Sequence, residues 1–164
     1  MAPNLTTAAA CRVAGIRHDR FNEFVAIGIY KCAPSTIPGR ARMFTPDDIL
    51  GILIFKDLMV GGMTASAAGE IAFAVAEAAK ANPNARAISH VCTWQTATGL
   101  PPSGTAHPSD ELPAPAEWNL AKDRKETITR AMTFNISLLR NLITERIEFT
   151  DAICAPSQTK PRPR

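Results

Sequence analysis

Arg17, His18, Arg20 and Asn22 cluster where the apolar-spaced segment 18–27, HDRFNEFVAI, begins. At a helix start such side chains can reach major-groove base edges, while backbone N–H groups face phosphates. Arginine on guanine is the commonest specific contact of that kind, and asparagine can pair with adenine. Asp19 and Glu23 interrupt the set. They repel phosphates unless they accept from cytosine or pair with the neighbouring arginines. Lys31, Arg40 and Arg42 follow on a stretch holding two prolines and a glycine, well placed to lie against a phosphate backbone.

A second kind of chemistry is open to His90 and Cys92. Two residues apart on a strand, they share a face, so a thiol–imidazole or metal pair is geometrically possible. No third group stands near them to activate a nucleophile or complete a metal site. His107 falls in a proline-rich stretch, and Trp94 and Trp118 flank that stretch, as walls of a small-molecule pocket or as cover for a loop. The four cysteines, Cys11, Cys32, Cys92 and Cys154, show no metal-ligand spacing and read as reduced thiols acting as small hydrophobes. Gly61-Gly62 lacks the Lys-Ser/Thr of a phosphate loop, and neither a nucleophile elbow nor a paired-carboxylate motif occurs. The expectation is a protein that is not an enzyme and has no cofactor and no metal. A thiol-responsive site at Cys92 is the one exception.

The elements that position these groups follow from caps and periodicity. Residues 5–14 read as a short helix capped by Thr6 or Thr7 and stopped by Gly15. Phe21, Phe24, Val25 and Ile27 form one stripe of a second helix that Gly28 closes. Two short helices around a glycine turn make the helix-turn-helix pattern. Residues 29–44 read as two short strands joined by a loop. Thr45-Pro46-Asp47-Asp48 starts a third helix that Gly61-Gly62 stops, and Thr64 or Ser66 starts a fourth that ends at Asn82-Pro83-Asn84. Residues 86–94 form a strand, 99–117 an irregular loop, and 127–136 a half-buried strand. Ser137 then caps a final helix with Leu138, Leu139, Leu142, Ile143 and Ile147 inward.

The chain has 164 residues, 46% hydrophobic and 20% charged, which suits one domain with an appendage and excludes wholesale disorder. Apolar runs are too short to span a membrane, and the first residues carry neither a basic nor a long apolar segment, so a cytoplasmic protein is expected. The net charge of +3 is unevenly spread. Residues 1–44 hold six basic and two acidic side chains, residues 45–154 nine and thirteen, and the last ten residues three and none. A basic N-terminal quarter on a mildly acidic body suggests a polyanion-binding end.

Four motifs in order, TTAAACRVAGI, FNEFVAIGIY, RMFTPDDI and GGMTASAAGEIA, resemble the MerR-type winged helix-turn-helix over about the first 75 residues. They match that family's first helix and turn, the end of its second helix, its second wing strand with the third-helix start, and the break into its fourth helix. Arg42 falls on the family's basic wing position. Asp19, Asn22 and Glu23 stand where the family usually has arginine and aromatic residues, so its contacts do not carry over one for one. The family's long dimer helix is replaced by residues 86–150. Members lacking that helix include DNA-packaging and prophage excision proteins as well as regulators.

The resemblance implies a mainly α fold with small β content. It would comprise a winged helix-turn-helix over 1–82; the residues beyond it, outside the resemblance, read as a small α+β accessory or dimerisation segment over 85–150 and, from their Pro-rich basic composition, a disordered tail over 151–164. It implies sequence-specific binding of double-stranded DNA, as a transcriptional regulator and homodimer. The expected contact set is Thr7, Arg17, His18, Arg20, Asn22, Lys31, Arg40 and Arg42. A phage packaging or excision accessory role, and a protein-interaction module without DNA, are the alternatives.

Overall fold

Local capping chemistry sets the helix starts. In the computed structural model, residues 4–36, 38–94, 103–118 and 127–154 are described. They form five α-helices and two small antiparallel sheets, a mixed α+β architecture. Helix α1 (Thr7–Ala14) is capped by Thr6, whose side chain accepts from the Ala9 N–H. It ends at Gly15 in the left-handed region, φ 74°, and a short turn leads to α2 (His18–Ala26). Helix α3 (Pro46–Val60) opens with a reciprocal capping box: Thr45 Oγ1 accepts from the Asp48 N–H, and the Asp48 carboxylate accepts from the Thr45 N–H. Helix α4 (Ala65–Ala81) is capped by Thr64.

Asp48 also meets Lys80 of α4 at 3.0 Å. Burial raises its pKa, but the Thr45 hydrogen bonds and the Lys80 ammonium outweigh burial and hold it below the ordinary aspartate value. The charged form is therefore the one the fold favours. Its contribution is complete above the unfolded value of 3.8 and is lost as pH falls through the lower folded value. Asp48→Asn is expected to cost about 1 kcal/mol at neutral pH. Urea unfolding at stepwise lower pH should show the gap to wild type closing below 3.8. A gap that does not change with pH would mean that the charge of Asp48 contributes nothing.

Four expectations are corrected. Leu5–Thr6 is not helix but strand β1, paired antiparallel with β2 (Met43–Phe44) in the register Leu5↔Phe44, Thr6↔Met43. Among its described residues the 29–44 segment consequently holds one short strand, not two joined as a wing. Tyr30 and Cys32 leave the surface to join the core, and Pro34 and Pro38 supply no N–H for a ladder. Within the expected 99–117 loop, Ser103–Pro108 forms strand β4, with two 3-10 turns after it at Ser109–Glu111 and Pro115–Glu117. The last helix, α5 (Ile136–Cys154), is not capped by Ser137. The Asn135 Oδ1 accepts the Leu138 N–H at 3.0 Å instead, and α5 runs past the expected boundary at 150. Residues 155–164, most of the expected basic tail, lie outside the described residues.

The core centres on α3. Ile49 through Phe55 are all buried, so α3 is apolar around its whole circumference and packs on α1, α4 and α5. An aromatic cluster fastens α2 beside it. Phe21 meets Tyr30 at 5.0 Å and Phe44 at 6.0 Å, while Phe55 takes Phe24 and Tyr30 at 5.2 Å each.

Helix α5 completes the core. Ile136, Ile143 and Ile147 are buried in the same cluster as Val13 and Ile52, Leu139 and Leu142 pack partly against it, and Leu138 stays exposed. Two of its arginines close other helices. Arg146 donates to the Val13 carbonyl at 2.9 Å, and Arg140 donates to the Ala79 and Pro83 carbonyls and to Asp47. No helix among the described residues is long and apolar enough to cross a membrane.

The larger sheet has the order β4-β3-β5, with β3 (Ala87–Trp94) central and β5 (Thr127–Asn135) antiparallel to it. Ile88, His90 and Cys92 share the face towards α4. Ser89 on the opposite face bonds Ser109 and Thr133 through its hydroxyl. A bulge opposite Cys92 and Thr93 gives Thr129 the extra place, with its hydroxyl donating to the Cys92 carbonyl.

Candidate nucleic-acid interface

Helix α2 shows why a short amphipathic segment can carry polar chemistry rigidly. Only Phe21 and Phe24 of its nine residues are buried. The aromatic contacts of that stripe lock the helix, and His18, Asp19, Arg20, Asn22 and Glu23 face outward. Arg17 sits at the N-cap position without a side-chain cap bond.

The outward groups pair among themselves. Arg17 bonds Asp19 through two nitrogens, Nε reaching Oδ1 at 3.2 Å. That hydrogen bond and charge raise the Arg17 pKa, and the same guanidinium holds Asp19 below the ordinary carboxylate range. Arg20 donates to Glu23 at 2.7 Å and lies 5.1 Å from the centre of the Phe24 ring. His18 and Asn22 share a 3.1 Å hydrogen bond, one helical turn apart. Of the two fates open to Asp19 and Glu23, pairing with arginine is the one observed. Both ion pairs are more than half exposed, so solvent screens them and neither adds much to stability.

The other expected contact residues divide. The β1–β2 register runs from Thr6↔Met43 towards Thr7 and Arg42, placing those two at the same end of the small sheet. Thr7 and Arg42 are half-buried, and the Arg42 Nε is shielded without a hydrogen-bond partner. Arg40 is exposed on the preceding turn. Lys31 turns to α4 and pairs with Glu70. Glu70 escaped sequence reasoning because it lies 39 residues away and only the packing of α4 brings it near.

A different group of residues meets on the α4 side of the large sheet. His90 and Cys92 do share a face there, as their spacing requires, and the regular register running from Ala87↔Asn135 sets Arg130 opposite Cys92. Arg130 Nη2 lies 3.4 Å from Cys92 Sγ. These residues line a groove of about 930 Å³ whose other wall is α4, including Ile71, Phe73 and Ala74. Burial, then the charge of Arg130, lowers the His90 pKa, so its imidazole is neutral at neutral pH. His107 is on the outer side, bonding Thr105 at 2.9 Å. Trp118 donates to the Pro113 carbonyl. The Trp94 side chain, expected as the other pocket wall, lies outside the described residues. Among the described residues no group of three or more His, Cys, Asp or Glu side chains could hold a metal ion.

No known family model matches the chain, and no curated protein matches it significantly.

Proposed function

We propose that this chain binds double-stranded DNA in a sequence-dependent manner, as a transcriptional regulator. The observation that carries the reading is α2: an aromatic-anchored helix entered through a short glycine turn from α1, with Arg17, His18, Arg20 and Asn22 all outward. The resemblance of the first 75 residues to the MerR-type winged helix-turn-helix supports it. In this reading α2 enters the major groove and the segment holding Arg40 and Arg42 lies on the flanking backbone. Arg17 and Arg20 leave their carboxylate partners to reach base edges, and the exposed pairs are weak enough to allow the exchange. One such module reads few base pairs, so the binding unit is a homodimer on two half-sites.

Fluorescence anisotropy on random and selected duplexes, between about 50 and 200 mM salt, tests the proposal. Affinity is expected to fall steeply with salt. Binding that ignores salt, or no binding, would sink the reading. Within that experiment, Arg42→Ala should weaken all sequences by a few-fold and flatten the salt slope by about one unit. Arg17→Ala should instead penalise the selected site more than random DNA. An unchanged slope for Arg42→Ala would remove Arg42 from the backbone contacts.

A further inference from the structure

The three cysteines whose side chains are described differ sharply. Cys11 and Cys32 are buried in the core, and burial pushes both thiols up to about 11, so neither is a nucleophile in the folded chain. Cys92 is half-buried, opens on the α4–sheet groove and has a guanidinium against its sulfur.

A second feature marks the same end of the groove as a place for a ligand. His90 is only 8% exposed, yet among the described residues nothing hydrogen-bonds its imidazole. Its ring nitrogens are not sealed in the protein but open on the groove, where the polar groups of a ligand can meet them. The ring lies over Gly104, where an added Cβ would come within 2.5 Å of Cε1 and Nε2. Gly104 therefore makes the space that lets a strand carry this ring into the groove. Around it the walls are apolar, from Ile71, Phe73, Ala74 and Ala106.

The charges facing the groove decide the sign of a ligand. Glu70 and Glu77 of α4 are already paired with Lys31 and Lys80. Glu111 follows Pro108, which pairs with Ile88 at the far end of β3, away from Cys92 and Gly104. Among the described residues Arg130 is left as the cation beside the sulfur.

We propose that Cys92 is a modification site that undergoes thiol–disulfide exchange with a small anionic disulfide seated in this groove. Arg130 holds a carboxylate of the reagent, and His90 offers its free nitrogens to the reagent's other polar groups. The Cys92 thiolate attacks one reagent sulfur, and a protein–reagent S–S bond forms as the reagent's own S–S bond breaks. The protein sulfur is oxidised and the departing sulfur reduced. The leaving thiolate takes a proton from solvent, replacing the one Cys92 gave up. The inference is independent of the DNA-binding reading.

The test uses the full chain carrying Cys154→Ser and three disulfides of similar size: dithiodipropionate as dianion, bis(2-hydroxyethyl) disulfide as neutral reagent, and cystamine as dication. Rates are followed by intact mass and peptide mapping at low salt, each divided by the rate with a free cysteine peptide. One adduct is expected, at Cys92, with Cys11 and Cys32 untouched until the chain is unfolded. The normalised rates should fall from dianion to neutral to dication by about threefold or more per step, and Arg130→Met should bring all three within about twofold. Circular dichroism confirms that this variant, changed at an exposed position, is folded. Absence of a Cys92 adduct would overturn the proposal. So would equal normalised rates with the three reagents, or an ordering that survives Arg130→Met.

Discussion

Phe55→Ala is expected to lower the unfolding free energy by about 3–5 kcal/mol, the range for truncating a fully buried aromatic. Phe55 is 0% exposed and meets both Phe24 and Tyr30 at 5.2 Å. Its removal leaves a cavity where α2 and the Tyr30 segment join α3, and those two ring contacts vanish with it. The core is close-packed, with α3 fixed on several sides, so collapse into the space is limited. Urea or thermal unfolding measures the loss, and Phe55→Leu, which keeps most of the volume, should lose less than half as much. A cost under about 1 kcal/mol for alanine would show that α2 is not held through this cluster. In that event the proposed DNA binding should also be undisturbed in the variant.

The second large effect concerns Arg140. Its guanidinium reaches Ala79 O at 3.0 Å, Pro83 O at 2.7 Å and Asp47 Oδ1 at 3.2 Å, with 26% of the side chain exposed. Ala79 lies in the last turn of α4 and Pro83 just past its end, where carbonyls lack helical partners and attract a cation. Arg140→Met keeps the aliphatic stem and loses all three bonds, and about 2 kcal/mol of stability is expected to go with them. Arg140→Lys should recover less than half, because a single ammonium cannot span three acceptors held in a fork. Full recovery by lysine would mean that the charge alone, and not the geometry, closes the helix.

Arg140 also shows what a sequence conceals. The starts of α3 and α4 are legible in Thr45-Pro46-Asp47-Asp48 and Thr64, because a cap and the N–H it accepts from lie within four residues. The open face of α2 is legible for the same reason, since Phe21 and Phe24 at helical spacing leave the rest outward, and the pairing of Arg17 with Asp19 needs only local reach. Ser103–Pro108 carries little intrinsic strand preference and becomes β4 only because β3 offers it an edge. The wing was misread because Tyr30 and Cys32 look like strand residues until Phe21 and Gly51 supply a core for them. Lys31, read as a backbone contact, has a partner 39 residues on. The groove of His90, Cys92 and Arg130 was half legible. The shared face follows from a spacing of two, but the β3–β5 register that sets Arg130 opposite Cys92 joins residues 38 apart and has no local sequence signal.

The bond from Arg146 to the Val13 carbonyl joins residues 133 apart, and Ile143 and Ile147 enter the core beside it. A ribosome makes α1 long before it makes α5. Until residues beyond 147 have cleared the exit tunnel, α1 lacks its closing arginine and the flank of α3 that α5 covers faces solvent. The nascent chain is therefore expected to stay an open helical assembly until α5 emerges. Chains stalled so that only residues up to 130 are outside the tunnel should be cut readily by protease within α1 and α3. Chains stalled with α5 fully outside should resist.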